Sequence, residues 1–308
     1  MSKFIIRRFL ALIPTMFIII TVCFFLIRVA PGGPFSSEKK IPAQILANIE
    51  AKYHMNEPLI QQYGRYLWNV VQGDLGPSYK YKDYDVNDYI GIGLPKSMLL
   101  GILALSIALT LGTLAGMTSA LKQNTPVDYT TMSLAVLGIS VPLFVIGPVL
   151  QWIFAVKLQI LPVAGWLDEH GPVALLLPVV TLSFPYFATI ARLSRASFLE
   201  SLRSDYVRTA RAKGLKTSVI MAKHVLKGAS LPMVSYIGPA FSEIVTGSIV
   251  VETIFRVPGL GRHFVQSAFN RDYTMIMGTV IVYSLILIIM NFLVDIAYGY
   301  LDPRISYK

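Results

Sequence analysis

Charged residues are scarce in this sequence. Asp, Glu, Lys and Arg make up 14% of its 308 residues, whereas about a quarter is usual for a soluble domain. Apolar residues reach 54%, and the mean hydropathy is +0.60. Cysteine occurs once, at Cys23, which excludes a framework of intrachain disulfides. The composition therefore indicates a membrane protein that is held together without disulfide bonds.

The motifs of common catalytic and nucleotide-binding sites are also missing. The histidines form no HExxH pair, and the chain contains no GxSxG. Lys96-Ser97 and Lys216-Thr217 lack the preceding glycines that a GxxxxGK[ST] phosphate-binding loop requires. We therefore expect that the protein is not an enzyme and that it binds no cofactor or metal itself. Any ATP and magnesium would be held by separate subunits.

Basic residues outnumber acidic ones by 27 to 17, a net charge of +10. They gather at the ends of apolar runs, which is typical of membrane topology rather than of a nucleic-acid-binding stripe, so we expect no nucleic-acid partner. A run of about 20 apolar residues can cross the hydrocarbon core of a bilayer. Six such spans are predicted, at Phe9–Val29, Met98–Leu121, Met132–Val156, Val173–Ile190, Leu231–Ile254 and Met275–Tyr298.

An even number of spans places both termini on the same side of the membrane. Lys3, Arg7 and Arg8 stand near the first residue, and Arg304 and Lys308 near the last. By the positive-inside rule, both termini are predicted to be cytoplasmic. A cleaved signal peptide is the alternative for the first apolar run, but its apolar core is long and five more spans follow.

The chain divides into three predicted segments, which are residues 1–30 with the first span, an outer segment 31–97, and a five-span core 98–308. The outer segment opens with a turn at Pro31-Gly32-Gly33-Pro34, and the pattern from 42 to 71 is helical with a break at Pro58. A small helical insertion outside the membrane is therefore predicted after the first span. A contact with a partner protein stays open for it.

Several residues within the predicted spans are unusual for lipid surroundings. Prolines are expected to bend the third, fourth and fifth spans, at Pro142 and Pro148, Pro178 and Pro185, and Pro239. Gly112 and Gly116 form a GxxxG pair, for which packing within the chain is favoured over a dimer contact. Glu243 is an intramembrane carboxylate, for which both a helix-packing role and a substrate or proton site stay open.

Two further acidic residues near the ends of spans are given structural roles. Glu252 and Arg256 stand four residues apart, and we predict that they form an ion pair. Asp295, near the end of the last span, is expected to extend toward the cytoplasmic boundary or to cap the helix.

The basic loop 192–228 is the most informative stretch. It carries nine basic residues but only two acidic ones, Glu200 and Asp205. Ala210 and Gly214 fall within a predicted short amphipathic helix and the turn after it, a shape suited to docking on another protein.

The run from Tyr206 to Leu215 resembles the coupling loop of ABC importer permeases, in the form found in peptide importers. Ala210 and Gly214 match its alanine and glycine, whereas Arg208 and Thr209 stand where the general pattern has Glu and Ala. The resemblance extends over nearly the whole chain, through Phe4 to Arg8, Gly73 to Gly76, Glu252 to Phe255, Pro258 to Gly261, Asn270 to Tyr273 and Asp302 to Ile305. Two further strings, Asn48 to His54 and Ala120 to Thr125, resemble the oligopeptide-permease branch of that family.

This resemblance implies an all-α polytopic membrane protein with the type I ABC importer permease fold, in the bacterial inner membrane. It implies a permease subunit of an ATP-driven oligopeptide importer that works with a homologous second permease, two ATPase subunits and a periplasmic peptide-binding protein. The residues implied in coupling to the ATPase are Arg208, Thr209, Ala210, Arg211, Gly214 and Leu215. The resemblance assigns no residue to substrate binding. Small Ala210 would permit close approach to the ATPase, and Gly214 would end the helix.

Other functions stay open on the sequence alone. Permeases of this type also carry dipeptides, nickel or antimicrobial peptides. An ion-coupled secondary transporter would normally show an internal repeat or several intramembrane carboxylates. An intramembrane hydrolase would need a nucleophile and a base at membrane depth, but the histidines lie outside the predicted spans.

Overall fold

The computed structural model describes residues 2–29, 33, 43–81 and 84–301, and these residues are helical apart from turns and one isolated bridge between Pro77 and Asp85. The helices are α1 (Ser2–Val29), α2 (Ala43–Lys52), α3 (Leu59–Val71), α4 (Val86–Leu121), α5 (Pro126–Ser140), α6 (Leu143–Leu150), α7 (Leu167–His170), α8 (Leu176–Leu202), α9 (Asp205–Ala212), α10 (Thr217–Ile220), α11 (Leu226–Ala229), α12 (Leu231–Gly247), α13 (Ile249–Phe255), α14 (Leu260–Asn270) and α15 (Tyr273–Leu301). Segments Gln151–Lys157 and Met221–Val225 are π-helical, and Gly171–Leu175 is a 3₁₀ turn. The predicted all-α class is confirmed for this part of the chain. Apart from Gly33, the predicted turn at residues 31–34 lies outside the described residues, as do Arg304 and Lys308.

Within the described ranges, four helical stretches are long and apolar enough to cross a membrane, namely Ile6–Val29, Val86–Leu121, Leu167–Leu202 and Tyr273–Ala297. Two bent helix pairs meet the same test only when each pair is counted as one span. These are Pro126–Ser140 with Leu143–Lys157, bent by 109°, and Leu231–Val245 with Ile249–Phe255, bent by 46°. The four stretches and the two bent pairs overlap the apolar runs from which the spans were predicted.

Two helices are longer than their apolar runs. α4 begins at Val86 rather than at Met98, because Asp85 and Asp88 form a capping box that starts the helix before the apolar run does. The predicted segment boundary at 97/98 therefore falls inside a helix. α8 continues past Ile190 to Leu202, so the first part of the basic loop is still helix.

The prolines act differently from one another. The break in the third span falls at Val141 and Pro142, where the backbone is extended, so the prediction is confirmed for Pro142, whereas Pro148 lies inside α6. Pro185 and Pro239 lie inside continuous helices, and the bend in the fifth span falls at Ser248 instead. The predicted break at Pro58 is confirmed, because Pro58 immediately precedes α3.

α4 and α8 pack along one another at the centre of the bundle, where the GxxxG pair lies. A Cβ atom on Gly112 would lie 3.0 Å from the Phe187 carbonyl oxygen, and one on Gly116 would lie 2.5 Å from the Ala191 carbonyl oxygen. These glycines therefore allow two helix backbones of the same chain to touch, which confirms packing within the chain as the role of this pair.

We predict that Gly116→Ala lowers stability, because its methyl group would meet the backbone of α8, and such overpacking typically costs about 1–3 kcal/mol. Thermal unfolding of the purified protein in detergent measures the effect.

Gly64→Ala is the matched control. Gly64 lies inside α3 with no atom within 4 Å of an added Cβ, so the same substitution should stabilise by about 0.4–1 kcal/mol. If the two variants unfold at the same temperature, the close approach of α4 and α8 at Gly116 is wrong.

Candidate coupling site and its supporting contacts

The predicted amphipathic helix of the basic loop is present as α9. Val207 and Ala210 point inward and are buried in the apolar core, while the remaining residues of the helix are exposed. The carbonyl of Ser204 accepts the Arg208 N–H at 3.1 Å, and the Ser204 hydroxyl donates to the Ser201 carbonyl at 2.6 Å. α9 is therefore attached firmly to the end of α8.

The turn after α9 depends on Gly214, whose φ is +74°. This is a conformation that only glycine adopts without strain. The Gly214 N–H donates to the Arg211 carbonyl at 2.9 Å, and the Leu215 N–H donates to the Ala210 carbonyl at 3.3 Å. The helix thus ends with its last carbonyls satisfied, and Leu215 is left at the surface.

Five of the six predicted coupling residues, Arg208, Thr209, Arg211, Gly214 and Leu215, share one exposed surface. The sixth predicted residue, Ala210, is only 4% exposed and packs against its own chain. Its small size lets α9 lie close to the bundle rather than to a partner.

The charged side chains on this surface are only weakly paired with one another. The Arg208 guanidinium lies 3.5 Å from Asp205, with the two side chains 81% and 96% exposed. Such an exposed pair contributes about 0.2–1 kcal/mol at most. Arg208 can therefore leave Asp205 for an acidic group on another protein at little cost.

An apolar groove lies nearby, at the cytoplasm-directed end predicted for α4. Its cavity of about 510 Å³ is lined by Met117, Leu121, Thr217, Ser218, Met221, Ala222 and Leu226. The sequence pattern did not predict it, because the lining comes from two segments about 100 residues apart that only the fold brings together.

An ion pair with a buried carboxylate supports the same end of the bundle. Arg195 donates to both carboxylate oxygens of Asp128 at 2.6 and 2.7 Å, and the Asn124 N–H donates to one of them at 3.0 Å. The Ser119 hydroxyl also donates to Asp128. The pair fastens α8 to the corner between α4 and α5, a role that the sequence, which counts Arg195 with the basic loop, did not reveal.

Glu252 has a similar role at the opposite end. It is fully buried and accepts hydrogen bonds from the Ser97 hydroxyl at 2.7 Å, from the Ser248 hydroxyl, and from the Arg262 N–H at 3.1 Å. The predicted pair with Arg256 is wrong, since Arg256 has a left-handed backbone that ends α13, and the described ion pairs do not join it to Glu252. Glu252 instead holds the start of α14 against α4.

Asp272 forms the third buried carboxylate centre. It accepts from the Ser78 hydroxyl, from the Tyr79 N–H at 3.2 Å and from the Thr274 hydroxyl at 3.0 Å. It thereby ties the segment before α4 to the start of α15.

Burial, together with the charges of Arg262 and Lys96, lowers the pKa of His263, which keeps its imidazole neutral at pH 7.

The two remaining acidic residues singled out in the sequence differ from one another. Asp295 forms an ion pair with Arg8 at 3.2 Å, which joins the end of α15 to the start of α1. Glu243 is exposed on α12.

Comparison with known proteins places these features in a family. Residues 81–307 match the profile described as "Binding-protein-dependent transport system inner membrane component", and residues 1–82 match the N-terminal profile of such membrane components. The chain is 49% identical over 307 residues to the oligopeptide transport system permease protein OppB of Salmonella typhimurium, with 100% of both chains covered. It is 46% identical over 306 residues to the dipeptide transport system permease protein DppB of Bacillus subtilis, covering 99% and 98% of the two chains.

A solved structure shares the fold. An inward-facing structure of the MetNI methionine ABC transporter superposes with a TM-score of 0.57 at 18% identity, over 69% of this chain and 96% of the matched chain. At this identity the likeness concerns the fold alone.

We predict that Asp128→Asn destabilises the protein strongly. Removing one partner of a fully buried pair typically costs about 3–5 kcal/mol, and because the Arg195 side chain is 26% exposed, the cost here should lie between that range and the roughly 0.2–1 kcal/mol of an exposed pair. The midpoint of thermal unfolding in detergent should fall accordingly.

Asp205→Asn serves as the control because it removes the carboxylate of the exposed pair with Arg208, and its unfolding midpoint should stay close to that of the unaltered protein. Equal midpoints for the two variants would contradict the assignment of Asp128 and Arg195 as a buried fastening.

Proposed function

Since the chain belongs to the family of binding-protein-dependent transport system inner membrane components and is a permease subunit of an ABC peptide importer, we propose that its cargo is an oligopeptide. The observation that carries this proposal is the 49% identity with an oligopeptide permease across the whole chain. Importers of this family work with a partner permease, ATPase subunits and a substrate-binding protein. In the proposed complex, a homologous second permease completes the pathway, two ATPase subunits lie on the inner side, and a periplasmic peptide-binding protein delivers the cargo.

A dipeptide cargo is the second candidate. It is favoured by the 46% identity with the dipeptide permease of Bacillus subtilis, which also covers nearly the whole chain. Uptake assays with proteoliposomes that contain the complete importer distinguish the two. Oligopeptides should be imported with a higher kcat/KM than dipeptides, and the reverse order would favour the second candidate.

In the proposed topology, each bent pair crosses the membrane as one span, which makes six spans in all. Both termini are cytoplasmic, and the ion pair between Arg8 and Asp295 supports their location on one side. Residues 31–97, with α2 and α3, form an insertion on the periplasmic side. The core 98–308 keeps its basic loop 192–228 on the cytoplasmic side, as the excess of Lys and Arg favours.

The proposed coupling surface consists of the exposed residues of α9 and the turn after it, centred on Arg208, Arg211 and Leu215. The apolar groove beside α10 and α11 would receive an apolar side chain of the ATPase subunit. A basic surface next to an apolar groove fits a partner that is acidic at its rim and apolar at its centre. ATP and magnesium would be held entirely by the ATPase subunits.

A movement of the coupling surface would be transmitted to the membrane-spanning helices through rigid contacts. Val207 and Ala210 hold α9 in the apolar core, and α8 is fastened to the α4–α5 corner by Arg195 and Asp128. When the two ATPase subunits close on ATP, they would push α9 and α8 together and switch the bundle between inward-open and outward-open states. The switch requires that ATP and the loaded binding protein bind one of these states more tightly than the other.

We predict that Gly214→Val reduces ATP-driven peptide uptake at least tenfold. Valine at a φ of +74° is strained by about 1–3 kcal/mol, so the turn would shift and the coupling surface with it. Uptake into proteoliposomes and co-purification of the ATPase subunits measure the effect.

Gly171→Val is the matched control, because Gly171 also has a positive φ, +65°, with open space around an added side chain, but lies beside α7 at the other end of the bundle. It should strain the backbone without weakening ATPase co-purification. If Gly214→Val leaves uptake and co-purification unchanged, the coupling assignment is wrong.

A further inference from the structure

The outward face of α12 differs from that of the other membrane-spanning helices. Large apolar side chains are exposed along α1, α5 and α15, for example Phe17, Leu137 and Leu287, as lipid contact requires. Among the described side chains of α12, in contrast, the exposed ones are Pro239 and Glu243. This face therefore does not have the composition of a lipid-facing surface.

The polar groups on this face are aligned. Tyr236, Pro239 and Glu243 follow one another at spacings of three and four residues, which places them on the same side of the helix. Pro239 has no N–H to donate to the Ser235 carbonyl. The face thus presents a phenol, a backbone carbonyl and a carboxylate in a row.

α8 adds Tyr186 next to this row. The Glu243 carboxylate lies near enough to the phenols of Tyr186 and Tyr236 for its charge to act on both of them. The surroundings of the carboxylate therefore include a phenol from each of two helices.

The depth of Glu243 limits what can cover this face. Glu243 lies at the middle of the bent span, twelve residues after Leu231 and twelve before Phe255 (243 − 231 = 255 − 243 = 12). A carboxylate at this depth is costly in hydrocarbon, and such residues face protein or a water-filled cavity. If the chain works as proposed, with a second permease opposite, this face borders the pathway between the two permeases.

We propose that Glu243, together with Tyr186 and Tyr236, is a cation-accepting site on the pathway and takes the α-ammonium group of a peptide in transit. This inference rests on the proposed function and identifies a substrate contact within it. A carboxylate forms charge-assisted hydrogen bonds with an ammonium group, and phenol rings attract cations to their faces. α12 contains no Lys or Arg of its own that would compete.

A thiol-labelling experiment measures whether the surroundings of Glu243 favour cations over anions, and it does not require the binding protein. Cys23, the single cysteine of the chain, is replaced by Ser, and Pro239→Cys is introduced one turn from Glu243 as a reporter. Water-soluble thiol reagents of opposite charge, an ethylammonium and an ethylsulfonate methanethiosulfonate, are applied to the complete importer in proteoliposomes. The reporter should react faster with the cationic reagent, and Glu243→Gln should lower this preference about tenfold.

The control reporter is Leu287→Cys on the apolar outer face of α15, which should react with neither reagent and should not respond to Glu243→Gln. The proposal is overturned if the Pro239→Cys reporter is as inert as that at Leu287, or if its charge preference is unchanged by Glu243→Gln.

Uptake gives a second, independent readout. Glu243→Gln should raise the KM for peptide import about tenfold without reducing ATPase co-purification. Glu243→Asp, which keeps the carboxylate, should restore part of the affinity. As a control, Glu169→Gln in the exposed segment at α7 should leave the KM unchanged. If the unaltered importer takes up no peptide, the proposed function fails. If it takes up peptide and Glu243→Gln imports it with an unchanged KM, only the cation site fails.

Discussion

A carboxylate that is withdrawn from water inside a membrane protein must find its hydrogen-bond donors within the protein, and the architecture of this chain depends on three such groups. Asp128, Glu252 and Asp272 are all buried, and each accepts hydrogen bonds from at least two chain segments. Because leaving any of them unpaired is expensive, the segments that supply the donors are held in one arrangement. All three lie at joints between helices.

These joints make some helices of the bundle move as one rigid unit, and the bundle can bend only where such joints are missing. Asp128 fastens α8 to the α4–α5 corner, and Glu252 fastens α14 to α4, so α4 is fixed at both ends. The sharp breaks lie elsewhere, at Pro142 and at Ser248. An alternating-access movement is expected to keep α4 and α8 together, because their backbones touch at Gly112 and Gly116, and to concentrate changes of angle at those breaks.

The sequence could predict what depends on composition and local pattern. Apolar runs located the spans, Pro58 and Pro142 located breaks, and the α9 helix with its glycine turn followed from the residues around Ala210 and Gly214. Contacts distant in sequence could not be predicted in this way. Glu252 has a plausible local partner in Arg256, yet Ser97 supplies a donor from 155 residues away. Ala210 likewise cannot be assigned to the inner or outer face of α9 until the core that receives it is known.

The contrast between Glu243 and Glu252 is the strongest reason to assign them different roles. Both are glutamates in one bent span, nine residues apart (252 − 243 = 9). Glu252 is enclosed by hydroxyl and backbone donors, and its carboxylate lies so close to Gly259 that a Cβ atom there would collide with it. Glu243 is exposed at the surface, and its charge acts on the phenols of Tyr186 and Tyr236. Glu252 is thus fixed between helices by its position, whereas the exposed position of Glu243 leaves its carboxylate within reach of a cation on the proposed pathway.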